Sequence, residues 1–142
     1  STVERHIAVA LAAAAAGRTD RAVLALGRAN DLGASDPRIP VALGRVWLAN
    51  AEAKNDRSSL RKAAEALADT SPNPQTSEVL GLLGRLAFLN GQMGEALRLL
   101  ERAVEERPVW SEAFRYQADA LRAAKRTEEA DAALERYAKI KD

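Results

Sequence analysis

A chain of 142 residues with 47% hydrophobic and 29% charged residues has enough apolar surface to fold and is too short for two full-sized domains. Its 21 basic and 20 acidic residues leave a net charge of +1, too small a field to favour a nucleic acid partner. No cysteine is present, which excludes disulfides, thiolate chemistry and cysteine-ligated metals.

Read in chain order, apolar and small residues recur at helical spacing, and helices are predicted at about 2–16, 19–32, 38–54, 57–69, 75–90, 94–107, 110–124 and 127–140. The first contains the longest apolar run, Ile7 to Ala16. At ten residues it is half of what a membrane span needs, and Glu4 in front of it speaks against a signal peptide. Gly33 and Gly91 suit helix ends; Asp36 before Pro37 and Asn73 before Pro74 read as N-cap and first-turn signals. No stretch alternates as a strand does, and alanine, leucine, arginine and glutamate favour helix.

The segments beginning Gly17-Arg18-Thr19, Gly91-Gln92-Met93 and Lys125-Arg126-Thr127 are versions of one turn. The alanines that follow, Ala96 and Ala130, are 34 residues apart, and Ala22 lies 74 before Ala96, two such periods with six residues added. A degenerate repeat therefore lies between. It carries Leu43-Gly44-Arg45, matching Leu83-Gly84-Arg85 at a distance of 40. With Leu60 as the counterpart of Ala96, four of the extra residues fall at the first turn of this repeat and two near Pro72-Asn73-Pro74. Four residues are close to one helical turn, so the apolar face keeps its register.

These residues resemble the tetratricopeptide repeat, whose signature is W-x2-L-G-x2-Y, then A-x3-F, then P over 34 residues. The third repeat fits best, with Leu80, Leu83-Gly84, Ala87, Ala96, Leu100, Ala103 and Pro108. The second offers Pro40, Leu43-Gly44, Trp47, Leu60, Ala64, Leu67 and Pro72; the fourth Phe114, Gln117-Ala118, Leu121, Ala130, Leu134 and Tyr137. The first offers His6, Val9-Ala10, Ala13, Ala22, Leu26 and Ala29. Pro40 and His6 depart from the usual aromatic, and Ala34 and Asp142 from the usual proline.

The resemblance implies an all-α, right-handed α-solenoid of about four helix-turn-helix repeats, eight helices in one domain over 1–142, with repeats at about 3–36, 37–74, 77–110 and 111–142. Small residues at Ala10, Gly44, Gly84 and Ala118 let paired helices approach closely, and so do Ala22, Ala96 and Ala130. Trp47, Leu100, Phe114 and Leu134 are expected to fill the space between repeats. Ser1 in place of a start methionine suggests a segment of a longer protein, and the last helix ends without a separate solvating cap.

No catalytic motif is present. His6 is the one histidine, and Glu105-Glu106 and Glu128-Glu129 read as solvated surface pairs, so neither enzyme activity, metal nor cofactor is expected. The resemblance implies instead a scaffold that binds another protein or peptide in a concave groove lined by the first helix of each pair. Arg45 and Arg85 directly follow the signature glycines and are expected side by side, where guanidinium groups suit an acidic partner. Leu48 and Phe88 are expected to receive an apolar side chain, with Arg115 and Arg122 further along the groove. Asp119 is expected to pair with Arg115 or Arg122 within its own helix, and Glu78, Glu112 or other carboxylates on nearby helices to meet Arg45 or Arg85.

Trp110 reads as a wedge between repeats, with an exposed anchor as the alternative, and Gly81 as a point of close approach. Ile7 and Leu11 stand where some family members place the lysine and asparagine that hold a chaperone's terminal carboxylate, so that clamp is not expected. The competing reading is a structural or self-associating slice of a longer solenoid, with contacts through its ends. A soluble protein of the cytoplasm or periplasm fits either, and the excess of arginine over lysine suits a GC-rich bacterial genome.

Overall fold

The structure, a computed structural model, describes residues 2–70 and 75–141. Within them the chain is all-α: α1 (Thr2–Ala15), α2 (Thr19–Leu32), α3 (Arg38–Lys54), α4 (Arg57–Ala68), α5 (Ser77–Leu89), α6 (Met93–Glu105), α7 (Ser111–Ala123) and α8 (Thr127–Lys141). Each matches an expected helix to within two residues at either end. Asn73, Pro74, the signature position Pro72 and its fourth-repeat counterpart Asp142 lie outside the described residues. The chain divides into two compact units, Ser1–Pro72 and Asn73–Asp142. Each holds two helical hairpins, with the first helix of the second hairpin packed on both helices of the first.

All four hairpins close in the same way. The chain turns through a left-handed residue, Gly17, Asn55, Gly91 or Lys125. The next N–H then donates back to a carbonyl five residues earlier: Arg18 to Ala13, Asp56 to Ala51, Gln92 to Ala87 and Arg126 to Leu121. This satisfies carbonyls that a helix end would leave unpaired, and a left-handed residue makes it possible. The three turns matched in the sequence are thus one structure, and Asn55 supplies the fourth.

Helix starts follow from local chemistry too. Asp36 accepts from the Arg38 N–H at 3.0 Å, and the Arg38 guanidinium grips the same carboxylate, lowering its pKa to about 2. Asp56 accepts from the Ser58 N–H at 3.0 Å, and the Thr76 hydroxyl from the Val79 N–H at 3.2 Å. Asp56 and Thr76 are N-caps that offset the orphan donors of the first turn, while Asp36 stands one residue ahead of the α3 N-cap, Pro37.

In the second and third hairpins the close approach occurs at glycine, where the first and fourth have the buried alanines Ala10 and Ala118. A Cβ on Gly84 would lie 2.6 Å from Leu100 Cγ, and one on Gly44 2.6 Å from Leu67 Cδ2. Leu67 is therefore the partner of Leu100, and the invariantly spaced small residue before it is Ala63, fully buried like Ala96. This corrects the expected pairing of Leu60 with Ala96 and Ala64 with Leu100. Gly44 stands 19 residues before Ala63, against 12 between Gly84 and Ala96, so the insertion is seven residues, two helical turns. It extends α3 to 17 residues where α5 and α7 have 13, and places Ala63 seventh in α4 where Ala96 is fourth in α6.

A second correction concerns Leu134. Its counterpart Leu100 is fully buried, whereas Leu134 is exposed, because no described helix packs against that side of α8. Trp47 is half-buried, with the Lys62 ammonium 4.4 Å above its ring.

The register of α4 is open to a direct check. Ala63→Leu should destabilise the chain by about 1–3 kcal/mol through overpacking, and Ala64→Leu, on the half-buried flank, clearly less. Urea unfolding followed by circular dichroism measures both; the reverse order would restore the register read from sequence.

Candidate protein-interaction face

In the second unit α5 and α7 lie side by side, and side chains one repeat apart meet across them. Arg85 on α5 donates to Asp119 on α7, Nη1 to Oδ2, at 2.8 Å. The two occupy equivalent places, 34 residues apart. The Arg85 guanidinium also stacks over the rings of Phe88, at 5.1 Å, and Tyr116, at 4.7 Å. Its side chain is only 8% exposed, so the charge sits in a niche of one carboxylate and two aromatic faces.

Two further arginines lie on α7, one of them over the same tyrosine ring. Arg115 lies 5.0 Å over Tyr116 and donates from Nε to Glu112 at 2.7 Å, one turn earlier on the same helix. Arg122 reaches Asp131 on α8 at 2.9 Å. Both are substantially exposed, at 40% and 49% of their side-chain surface. Asp119 therefore does not pair with Arg115 or Arg122 as expected. The longer reach to Arg85 wins because that guanidinium is buried and needs a counter-charge, while the exposed arginines have other carboxylates within one turn or across the hairpin.

Beneath the face sits Trp110, which acts as the expected wedge. A Cβ on Gly81 would lie 2.9 Å from Trp110 Cε3, so glycine at this helical position is required for the indole to seat. Tyr116 packs edge-on against the indole with centroids 5.6 Å apart. The Trp110 N–H donates to the Ser77 hydroxyl at 2.9 Å, and that hydroxyl donates to the Ala103 carbonyl at 2.7 Å. One buried serine thus ties the start of α5, the end of α6 and the entry to α7. Nothing in the repeat signature marks Ser77, which is why the sequence reading passed over it.

Of the six residues expected at the binding face, Arg85, Phe88, Arg115 and Arg122 lie on α5 and α7 in the second unit. Arg45 and Leu48 lie on α3 in the first unit. Arg45 is half-buried. Leu48 is 1% exposed and presents no surface to a ligand; falling four residues after Gly44 and three before Ala51, it shares their covered side of the helix. Arg85 likewise is engaged with Asp119 rather than open to a partner's carboxylate.

The first unit contains a polar chain of its own. Thr19 donates to the Asn50 carbonyl oxygen at 2.8 Å, Asn50 donates to Ser59 at 2.8 Å, and Ser59 to Asp56 at 2.9 Å, joining α2, α3 and the start of α4. No group of three or more His, Asp or Glu side chains able to hold a metal ion occurs among the described residues. No described helix is long and apolar enough to cross a membrane.

No protein-family model matches the chain, and no curated protein matches it. Among solved structures it is similar to pilF of Pseudomonas aeruginosa, at 16% identity and a TM-score of 0.48, over 97% of this chain and 76% of that one.

If the Arg85 niche is structural, Arg85→Met should destabilise the second unit by roughly 2–4 kcal/mol, since it strands Asp119 and strips two aromatic faces. Asp119→Asn, at a more exposed partner, should cost less. A double-mutant cycle by urea unfolding should return a coupling on the order of 1 kcal/mol; additive effects would remove Arg85 and Asp119 from the account of this unit.

Proposed function

We propose that the chain is a non-catalytic scaffold for protein interaction, and that a segment of a partner lies along the α5 and α7 face of the second unit. The observation that carries this reading is the contrast between Arg85, buried against Asp119, and Arg115, exposed over the same Tyr116 ring, with Arg122 exposed further along α7. Arg85 is committed to Asp119 and organises the aromatic rings. Arg115 and Arg122 hold their carboxylates in exposed pairs, each worth roughly 0.2–1 kcal/mol. A partner carboxylate can replace Glu112 or Asp131 at little cost, and bidentate geometry favours arginine for that exchange.

Phe88, half-buried at the edge of the niche, supplies an apolar contact beside the two cations. An acidic segment with an aliphatic or aromatic side chain suits this surface. In the first unit Arg45 takes the place on α3 that Arg85 takes on α5, so the same mode of contact extends to that unit in this reading. The tetratricopeptide-like hairpins support an interaction role in general, because such repeats present broad surfaces on rigid helices.

A second reading rests on a different observation. Val9, Leu24 and Leu32 on α1 and α2, and Leu134 and Ile140 on α8, are exposed large apolar side chains. They would serve contacts through the outer hairpins, with neighbouring repeats or with a second copy.

The two readings separate experimentally. Arg115→Glu with Arg122→Glu should reduce retention of partner polypeptides by the natural full-length protein at least tenfold while leaving helicity unchanged. Quantitative mass spectrometry of material bound to wild type and variant measures this. An unchanged bound set, together with a molar mass that rises with concentration in light scattering, would favour the second reading.

A further inference from the structure

The opposite flank of the second unit carries an unassigned cleft of about 350 Å³ between α5 and α6. Its floor is apolar, formed by Leu83, Leu86 and Leu99. None of the arginines of the interaction face lines it. The volume is at the low end of ligand sites, roughly 300–1,000 Å³, which suits one large side chain better than a cofactor.

The rim determines what can bind. Three carboxamides border the cleft, Gln75 at one end of α5 and Asn90 and Gln92 at the other. Carboxamides both donate and accept, so they match the N–H and C=O groups of a peptide backbone. The helix α5 that borders the cleft has 13 residues and is about 20 Å long, the span of roughly six residues of extended chain, and lining residues come from both of its ends. A small ligand would reach only one end.

Charge gives the polarity of the occupant. On α6 the Arg98 guanidinium is closed over Glu95, donating from Nε to Oε2 at 3.2 Å and from Nη2 to Oε1. Arg102, one turn further along, also lines the cleft; its charge acts on Glu95, on which Arg98 is already closed. The rim therefore holds one cation in excess, next to an apolar floor.

We infer that this cleft is a second peptide-binding site, which takes an extended acidic segment by seating one large apolar side chain on Leu83, Leu86 and Leu99 and pairing an adjacent carboxylate with Arg102. The carboxamides hold the backbone on either side. The site is independent of the α5 and α7 face and uses none of its residues.

The probe is a capped hexapeptide, acetyl-Glu-Asp-Leu-Glu-Ser-Gly-amide, titrated into the nitrogen-15-labelled 142-residue chain and followed by amide chemical shifts. Shifts are expected at Leu83, Leu86, Leu99 and Arg102. Replacing the peptide leucine by serine should abolish them. Arg102→Glu, an exposed substitution that leaves helicity intact, should weaken binding at least tenfold, and exchanging the peptide's acidic residues for lysine should restore it to that variant. Three results would overturn the inference: no shift at the cleft with millimolar peptide; shifts confined to α7, which would belong to the other face; or displacement of the peptide by hexanoate, marking a site for small amphipathic acids.

Discussion

Two helices of a hairpin close on each other here where one of them carries a small residue at the crossing, and in two of the hairpins it carries no side chain at all. Gly84 and Gly44 provide that point in the two units, and Leu100 and Leu67 occupy the space they leave. Glycine inside a helix costs about 1 kcal/mol relative to alanine, and a buried leucine contributes about 1.5–3 kcal/mol. The exchange favours glycine wherever the leucine would otherwise have no room. From it follows the burial of Ala63 and Ala96, one turn before each leucine, and the surface on which the next hairpin packs.

The same logic of one element leaving room for another recurs at Gly81 and Trp110. Here the indole rather than a leucine fills the gap, and its backbone is fixed by Ser77. With Trp110 seated, Tyr116 packs edge-on against it, and Arg85 and Arg115 each lie over the Tyr116 ring. The charged surface is therefore built outward from a packing decision in the core. A buried guanidinium is tolerable because Asp119 stands one repeat away at the equivalent place, and its distance is set by the spacing of α5 and α7.

Much of this was legible in the sequence. Among the described residues periodicity located the eight helices, the turn alignment matched the segments at Gly17, Gly91 and Lys125 as one turn, and the small-residue spacing pointed to the close approaches. Three things were not legible. The insertion in the second hairpin was placed by matching Leu60 to Ala96, but four and seven residues both preserve a helical face, so periodicity alone could not choose between them. Leu48 was assigned to the binding surface from its position on the helix, yet a helix in this array is covered on more than one side. That Arg85 meets a carboxylate on a nearby helix is within the expectation, but which one is not, because local pairs at three and four residues are visible in a sequence whereas a partner 34 residues away is seen only once repeats are stacked. Ser77 and Ser59 belong to the same class, since a buried hydroxyl leaves no periodic trace.

The claim on which everything else rests is that glycine and leucine in the second and third hairpins are complementary in volume. Gly84→Val and Leu100→Ala, singly and together, test it by urea unfolding. Each alone should destabilise by about 2 kcal/mol or more, the first by overpacking and the second by leaving a cavity. Together they restore the volume, so the double variant should lose at least about 1 kcal/mol less than the two losses combined. Strict additivity would contradict the account, because it would mean that Gly84 and Leu100 do not share one space.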